Sequence, residues 1–427
     1  MSGWLTGWQY RRKHTILPST GAGTGYQIKI VAHYGSGTTS GKDVYLGGKC
    51  RQDFGDIRFT KSDGVTELSY WIEDKVDGDY AVFWVKIDDD LSNPVDIYIY
   101  YGKPDAVTTS NGATTFLFFD DFNELDTSVW ERVVANGSST VSNSILTVVG
   151  GSGTAREALV TATLNFPPST ALRGYIWLDN VGATYGISSF GYSTDKSDLA
   201  KMMNAFYVSG SAPSRNVYAG DDSTYASASA NYTIGSFRIF EIQRLGTKTR
   251  FLEHDALVTE LNIDSTSNRY IIFNTRDTRT VKCDWILVRK LVDPEPEHGD
   301  WGAEELEIGV TILSIDLYGV VYSDTTITSK PLPSIDLYGV TYSDSIIETT
   351  TYQSLSIDLY GVVYSDVGVA PLAGYQSLSI DLYGVVYSDS TVEIGIQITQ
   401  YIQPLILLIL IIIMIVILAS ALGSRKK

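Results

Sequence analysis

The sequence predicts an all-β protein with two β-sandwich domains of jelly-roll type, a β-rich repeat stalk and one C-terminal transmembrane helix. Three observations carry this prediction. Short runs of alternating or β-branched residues, bounded by turn residues, recur from Tyr26 to Lys290. An eleven-residue phrase of strand type is then written four times between Ser314 and Asp389. Beyond it, residues 405–422 form an apolar segment long enough to span a bilayer.

Composition limits the size of the cores and the kind of partner. The chain has 427 residues, of which 44% are hydrophobic, so it can bury two cores of ordinary size. Its 32 Lys and Arg against 49 Asp and Glu leave a net charge of -17, which opposes a phosphate backbone. We therefore expect no nucleic acid partner. Cys50 and Cys283 are the only cysteines and form no disulfide framework.

Two series of strands divide the first part of the chain. The first, within residues 1–117, contains YQIKIVAHY, DIRFT, LSYWIE, YAVFWVKID and VDIYIYYG, separated by turns such as KSDGV and KVDGDY. The second, within 118–292, contains SILTVVG, LRGYIWLDNV, FRIFEIQRL, RYIIFNT and CDWILVRK. Its spacing suits a sandwich of two antiparallel sheets. Each series predicts one β-sandwich domain.

Several of these runs carry a resemblance to known families. WQYRRKHTI, DFGDIRFTKSDGVTELSYWIE, AVFWVKID and DIYIYYGK, from about Trp4 to Phe119, resemble a domain family of unknown function found in prokaryotic, often archaeal, surface proteins. That family implies a β-sandwich and no reaction, and it commonly precedes a concanavalin-A-like, laminin-G-like jelly roll. The second domain resembles such a jelly roll in FFDDFNELDTSVWE, VSNSILTVVG and DWILVRK. It departs from the pattern at Ser144 and at residues 254–256, so no ligand site is carried over through those turns.

The segment after the second domain is predicted to be a linker followed by repeats. Residues 293–313, which contain DPEPEHGDWGAEELE, are rich in proline and acid and show no strand period, which indicates a linker. The repeats at 314–389 read SIDLYGVVYSD three times and SIDLYGVTYSD once. Their connectors of 9, 11 and 12 residues are unequal, so we expect strands paired in a stalk in preference to a regular β-helix. Pairing between copies of the chain would make the protein a homo-oligomer; a flexible spacer is the alternative.

The C-terminal segment predicts a membrane anchor. Residues 390–404 are juxtamembrane, 405–422 form the predicted transmembrane helix of about 27 Å, and 423–427 are a basic tail. The basic tail places the C-terminus inside and the large N-terminal part outside a cell or virion, with the lipid bilayer as a partner. The N-terminus shows no apolar segment of the kind that a secretory signal needs, which leaves the route of insertion open.

The acidic and histidine residues of the sequence form no recognisable catalytic pattern, which predicts that the chain is not an enzyme. Retaining glucanases with a jelly-roll fold need acids at alternating positions of one strand, of the form ExDxxE, and no strand of the second domain has them. Glu253 and Asp255 flank a hairpin turn, which favours a solvated turn over an acid pair. The four histidines show no metal-ligand spacing.

The remaining candidate residues suggest binding. The resemblance to concanavalin-A-like domains implies one structural calcium ion between Asp121, on the opening strand, and Asp284, on the closing strand. A glycan-binding face would use aromatic side chains for stacking, although core packing explains each of them equally well. The aromatic candidates are Trp177, Tyr185, Tyr192 and Tyr207. Asn136 and Asn231 lie in glycosylation sequons.

Together these observations predict a membrane-anchored surface protein of a prokaryote, often an archaeon, or of its enveloped virus, used for adhesion or glycan recognition. A structural component of an envelope, filament or virion without a glycan site is the first alternative. An anchored glycosidase is the second.

Overall fold

A computed structural model describes residues 3–180, 184–195, 202–221 and 223–307, together with strands of the repeats between 314 and 383. The chain divides into two compact units, Met1–Glu307 and Ile308–Lys427. The first unit contains both predicted sandwiches, and the second contains the repeats. The all-β prediction is confirmed for these regions: within the described residues the one helix is the four-residue α1, Gly112–Thr115.

The first domain is a sandwich of two antiparallel-rich sheets. Its strands within the N-terminal part are β1 (Tyr10–Ile16), β2 (Tyr26–His33), β3 (Asp43–Tyr45), β4 (Arg58–Lys61), β5 (Tyr70–Val76), β6 (Tyr80–Ile87) and β7 (Val95–Tyr101). One sheet has the order β3-β2-β6-β5, and the other contains β1-β7-β4. Alternate residues such as Ile28, Ile30, Phe83, Val85 and Ile97 point into a common core.

The predicted linker at 293–313 is wrong over its central part. Strand β23 (His298–Leu306) pairs antiparallel with β1 from Ile16↔His298 to Tyr10↔Leu306 and completes the sheet β23-β1-β7-β4. The first domain is therefore built from both sides of the second, which is inserted between β7 and β23. β23 is an edge strand with no fully buried face, so its sequence lacks the alternation that would identify a strand.

The second domain is a two-sheet jelly roll, as predicted. Its strands are β8 (Phe118–Asp120), β9 (Trp130–Ala135), β10 (Ser138–Ser142), β11 (Ile145–Val149), β12 (Arg156–Thr161), β13 (Thr170–Leu178), β14 (Ile187–Ser193), β15 (Met202–Ser209), β16 (Ser214–Gly220), β17 (Tyr225–Ser229), β18 (Phe237–Arg244), β19 (Thr249–Glu253), β20 (Ala256–Leu261), β21 (Tyr270–Arg276) and β22 (Thr280–Lys290). One sheet has the order β10-β11-β22-β13-β18-β19-β20, with β8 beside β22. The other has the order β17-β16-β15-β14-β21-β12-β9.

The two sheets of the jelly roll have different surroundings. They share a core that includes Phe190, Phe206, Phe240 and Phe273. The outer face of the eight-stranded sheet packs against the first domain, where Trp71 lies 5.0 Å from Trp285 in an edge-to-face contact. We call this sheet the docked sheet. The outer face of the seven-stranded sheet carries the tyrosines described below, and we call it the tyrosine sheet.

The departures from the family pattern leave the turns intact. Asn143 and Ser144 join β10 to β11, and His254 and Asp255 join β19 to β20. All four residues adopt positive φ, between 47° and 66°, which two-residue hairpin turns with a right-handed strand twist require. The turn geometry is therefore kept without glycine, although left-handed backbone is less favourable for these residues.

The repeats stack in parallel within one chain. Their strands are β24 (Ser314–Tyr318), β25 (Val321–Tyr322), β26 (Thr325–Ser329), β27 (Ser334–Tyr338), β28 (Thr341–Tyr342), β29 (Ser345–Thr349), β30 (Ser354–Tyr360), β31 (Val363–Tyr364), β32 (Val367–Pro371) and β33 (Ser377–Tyr383). They form three parallel sheets, β24-β27-β30-β33, β25-β28-β31 and β26-β29-β32. Equivalent residues pair in register, for example Ser314↔Ser334, Ser334↔Ser356 and Ser356↔Ser379, so successive coils span 20, 22 and 23 residues.

The prediction that the repeats form paired strands in preference to a regular β-helix is corrected by this arrangement. The connectors between copies of the phrase themselves contain the third strand of each coil, β26, β29 and β32. Differences in coil length fall between that strand and the first strand of the next coil, where they do not disturb the register. Pairing of the repeats between copies of the chain stays a prediction.

The predicted membrane location is not supported by this structure. Within the residues that the structure describes, no helix is long and apolar enough to cross a membrane. The single-pass C-terminal anchor, and the localisation that depended on it, are therefore corrected. The segment 405–422 itself, with its flanks 390–404 and 423–427, lies outside the described residues.

Candidate functional site

Three tyrosines on neighbouring strands form a ladder across the outer face of the tyrosine sheet. Tyr207 is on β15, Tyr218 on β16 and Tyr225 on β17. The residues that flank them along the first two strands, such as Phe206 and Val217, are in the core, so by alternation the tyrosines point outward. The ring centroids of Tyr207 and Tyr218 are 5.0 Å apart, and those of Tyr218 and Tyr225 are 6.2 Å apart. Tyr225 is 70% exposed.

A buried tyrosine supports the ladder from below. The hydroxyl of Tyr232 lies 2.9 Å from the carbonyl oxygen of Tyr207 and 3.1 Å from that of Asn216, and it accepts from the Tyr207 N–H at 3.2 Å. Burial raises the pKa of Tyr232, which keeps this hydroxyl protonated. Three backbone groups at the centre of the face are thereby held by one side chain. The ladder is preorganised by the fold.

Polar side chains surround the ladder and are suited to hydrogen bonding with hydroxyl groups. Asn216, Ser227 and Ser229 lie on β16 and β17, and the last two are exposed. The Ser229 hydroxyl lies 3.5 Å from the Asn216 side-chain oxygen, a long contact that leaves both groups available to a ligand. Further across the same face, Ser189 and Asn274 are buried. The accessible surface is therefore the part formed by β15, β16 and β17.

Basic residues lie at one end of this face. Burial and Tyr218 raise the pKa of Tyr207, while the positive charges of Arg156, Arg276 and Arg279 oppose that rise. Arg156 and Arg276 are directly opposite each other on β12 and β21. The tyrosine ladder on β15–β17 and the partly exposed Arg156 and Arg276 on β12 and β21 together form a candidate binding site.

Two of the four predicted aromatic residues lie at this site. Tyr207 belongs to the ladder, and Tyr185, 52% exposed, accepts a hydrogen bond from the Arg276 guanidinium through its carbonyl oxygen. The prediction for Tyr192 is wrong, because its side chain is fully buried in the core, where burial raises its pKa to about 12. Trp177 is on the docked sheet, where the Lys282 ammonium lies 5.2 Å from its ring, so it is separate from the ladder.

Sequence reasoning missed Tyr218 and Tyr225. The signal was present in NVYAG and in YASAS, where small residues alternate with polar and aromatic ones in the manner of strands. These runs contain few large apolar residues, so they lack the buried apolar face by which a strand is recognised in a sequence. Without the strand order, no pattern in the sequence places them beside Tyr207.

A second cluster of functional side chains fills the junction between the first domain and the docked sheet. Arg173, on β13, is 1% exposed and donates to Glu73 of the first domain at 2.7 and 2.9 Å. It also donates to Glu241 at 3.1 Å and to Asp255 at 2.8 Å. Lys29 of the first domain donates to Asp255 at 2.7 Å. Charges from both domains are paired here.

The carboxylates of this junction are held ionised. Burial alone would raise the pKa of Glu241, but Arg289 and Arg173 lower it to about 2. The pKa of Glu73 is lowered in the same way by Arg173 and Lys29. A cleft of about 290 Å³ borders the cluster and is lined by side chains such as Lys29, Trp84 and Glu241. A general acid needs a raised pKa, so these carboxylates suit domain docking better than proton transfer.

The two acids beside the β19–β20 turn, Glu253 and Asp255, have different surroundings. Glu253 accepts from the Thr233 N–H at 3.1 Å and lies 3.5 Å from Arg238. Asp255 is in the charge cluster of the junction. The turn that contains Asp255 therefore contacts the first domain, and it is not simply a solvated hairpin.

Residues 53–133 match the model of a domain of unknown function, DUF2341. An uncharacterized protein of Methanocaldococcus jannaschii is 26% identical over 258 residues, which cover 54% of this chain and 44% of that protein. This chain thus spans less than half the length of that curated relative.

Among solved structures, the chain is similar to glycoside hydrolases. The laminarinase catalytic domain of Thermotoga maritima has a TM-score of 0.34 and 11% identity, over 42% of this chain and 98% of that one. The endo-β-1,3-glucanase of Pyrococcus furiosus has a TM-score of 0.33 and 11% identity, over 42% and 95%. A lichenase from a mouse hindgut metagenome has a TM-score of 0.32 and 12% identity, over 41% and 99%.

These neighbours correct the prediction that the chain is not an enzyme. They are glycoside hydrolases. At this level of identity no catalytic residue is carried over to the present chain.

The two aspartates predicted to bind calcium influence each other electrostatically. Burial and the charge of Asp121 raise the pKa of Asp284. Within the described residues, no group of three or more His, Cys, Asp or Glu side chains is placed to hold a metal ion. Calcium would have to complete its coordination with carbonyl oxygens and water, which it accepts. The site stays a prediction.

Calcium binding at these aspartates has a direct test. Adding Ca²⁺ to chelator-treated protein is expected to raise the midpoint of thermal unfolding, because the cation would neutralise the repulsion between Asp121 and Asp284. Asp284→Asn should abolish the rise, whereas Asp126→Asn, at an exposed turn, should preserve it. A wild-type midpoint that is the same with Ca²⁺ and with chelator would exclude the site.

The asparagines of both predicted glycosylation sequons are exposed. Asn136 lies between β9 and β10, and Asn231 lies between β17 and β18. Their side chains are accessible for modification. Glycosylation itself stays a prediction.

Proposed function

We propose that the jelly roll recognises a glycan on the outer face of the tyrosine sheet, and that adhesion or glycan recognition is the role of the protein. The observation that carries this proposal is the ladder of Tyr207, Tyr218 and Tyr225. Tyrosine rings offer apolar faces to the C–H groups of a sugar and a hydroxyl to its polar edge. A ladder held by the fold binds with a small loss of conformational entropy.

The length of the ladder suits an oligosaccharide. The two centroid spacings of 5.0 and 6.2 Å extend over three strands, so successive rings can contact more than one sugar unit. Asn216, Ser227 and Ser229 would bind hydroxyl groups along the same path. The neighbouring Ser189 and Asn274 are buried and would take no part.

Titration of the full chain with polysaccharides by calorimetry tests the proposal. Tyr218→Ala and Tyr225→Ala are each expected to weaken glycan affinity by roughly tenfold, since loss of one stacking contact costs about 1 kcal/mol or more. Tyr80→Ala is the matched control, because Tyr80 lies on β6 of the first domain and its hydroxyl donates to Asp74 there. Circular dichroism of each variant checks the fold.

The alternatives predict other results. If a glycan binds the wild type and the Tyr218→Ala/Tyr225→Ala variant with equal affinity, the glycan site lies elsewhere. Failure to bind any polysaccharide in a broad panel would favour a structural component without a glycan site. Release of reducing ends from a bound polysaccharide would show that the protein is a glycosidase.

A further inference from the structure

Two arginines at the end of the tyrosine face are placed against each other. Arg156 on β12 is the direct cross-strand partner of Arg276 on β21. Leu159 and Phe273 on these strands are in the core, so by alternation both arginines are on the outer face. Like charges directly opposite each other in an antiparallel pair are destabilising. The fold keeps this pair, and both side chains are partly exposed.

A third arginine adds positive charge from below. Arg279 is 1% exposed, and its guanidinium donates to the carbonyl oxygens of Gly210 at 2.6 Å and Asp179 at 3.4 Å. Its Nε has no hydrogen-bond partner among the described residues. Burial lowers the pKa of Arg279. The nearby carboxylate of Asp277 is occupied, because it accepts from the backbone N–H groups of Gly153 and Tyr185.

The buried arginines of the docked sheet differ from Arg276 and Arg279. The buried arginines of the docked sheet each have a carboxylate partner: Arg173 pairs with Glu73, Arg289 with Glu241, and Arg244 with Asp264. Among the described residues, Arg276 and Arg279 form no ion pair with a carboxylate. The carboxylates of Asp179 and Asp277 act to raise the pKa of Arg279, but among the described residues neither forms an ion pair with it. Instead, Arg276 lies two strands from the ladder strand β15: it is opposite Ile187 on β14, and Ile187 is opposite Ser209 on β15.

We propose that the ligand of the tyrosine face is an acidic glycan, whose carboxylate or sulfate group is bound by Arg276 with the help of Arg156 while its rings stack on the ladder. This inference rests on the proposed function and specifies its ligand. The guanidinium group is planar and matches the geometry of carboxylate and sulfate with paired N–H donors.

The test compares acidic and neutral glycans on the full chain. The ligands are polygalacturonate, which carries carboxylates, dextran sulfate, which carries sulfates, and laminarin, which is neutral. We expect at least one acidic ligand to bind more tightly than laminarin, with an affinity that falls as NaCl is raised. Arg276→Gln should weaken the acidic ligand by about tenfold or more, the loss of one charge-assisted hydrogen bond, and leave laminarin unchanged. Arg276→Lys should retain part of the affinity, since the positive charge remains while the paired N–H donors of the guanidinium are lost.

Matched controls separate this inference from a general charge effect. Arg250→Gln removes an arginine from the docked sheet, where it pairs with Glu260 and Asp293, and should leave all affinities unchanged. Polyglutamate, an anion without sugar rings, should bind weakly and without dependence on Tyr218. Strong binding of polyglutamate would overturn the inference, because the site would then bind anions in general.

The failure of the inference and the failure of the proposed function give different results. If laminarin binds as tightly as the acidic ligands and its binding depends on Tyr218 but not on Arg276, the glycan site stands and its acidic preference is refuted. If the Tyr218→Ala/Tyr225→Ala variant binds every glycan as the wild type does, both are refuted. Comparison of polygalacturonate with dextran sulfate identifies which anionic group the site accepts.

Discussion

Replacing Arg173 with leucine is expected to lower the free energy of unfolding of the first unit by about 3–5 kcal/mol, the cost of removing one partner of a buried ion pair. The side chain is 1% exposed and lies against three carboxylates, from Glu73, Glu241 and Asp255. Without it, the partners that Glu73 keeps among the described residues are the Trp84 N–H at 2.6 Å and the Lys29 ammonium at 3.7 Å. The buried Glu73 carboxylate would then lack most of the positive charge that stabilises it, at the contact between the two domains.

Denaturant unfolding followed by tryptophan fluorescence measures this effect, because Trp71, Trp84 and Trp285 lie in the junction. Arg250→Leu is the control: it removes the same side chain from ion pairs that are about a quarter to a third exposed, so a loss below about 1 kcal/mol is expected. In the variant Glu73→Gln/Arg173→Leu, part of the loss should be recovered, since no unpaired Glu73 charge remains. Equal losses in Arg173→Leu and Arg250→Leu would contradict a special role for the junction.

The sequence was sufficient for the strands whose pattern is locally strong. Runs such as YAVFWVKID and VDIYIYYG alternate or are continuously apolar, and they form β6 and β7 with buried side chains. The hairpin turns at Asn143 and His254 were also placed correctly, although the residues are not glycine. Local periodicity decides such elements before any tertiary contact is known.

Features that depend on distant contacts could not be predicted. β23 is recognisable only through its partner β1, about 290 residues away, because neither of its faces is fully buried. The Arg173 cluster joins acids from both domains and has no spacing signature. The tyrosine ladder requires the order β15, β16, β17, and only one of its members was a candidate. Strand order and domain insertion are global properties, which local patterns do not encode.

Acidification from pH 6.5 to pH 4.5 is expected to destabilise the first unit by on the order of 4 kcal/mol through one pair of histidines. His14 on β1 is fully buried, and its Nε2 lies 2.9 Å from Nδ1 of His298 on β23. The ring of Trp301 stacks on His14 with centroids 3.8 Å apart. Burial and the neighbouring His298 lower the pKa of His14 to about 3, and burial and Lys42 lower that of His298 to about 4.

The direction of the effect follows from these lowered values. Above pH 6.5 both histidines are neutral in the folded and unfolded chain, so the stability is fully present. Below it the unfolded chain takes up protons that the folded protein excludes, and stability is lost until the pH reaches about 4 and then about 3. Ionised carboxylates such as Glu241, whose pKa is about 2, act in a lower window, because their contribution is lost only as the pH falls below 4.5.

Unfolding curves between pH 7 and pH 4.5 separate the histidine pair from the other titrating groups. The variant His14→Gln/His298→Gln should be less stable at pH 7, because it loses the stacked ring of His14, but its stability should change much less with pH over this range. His254→Asn, at an exposed turn where asparagine tolerates the positive φ, should keep the wild-type pH dependence. The same steep loss in the double variant as in the wild type would show that other groups cause it. Since β23 is an edge strand bound to the first domain through β1, protonation of this pair would act first on the β1–β23 contact.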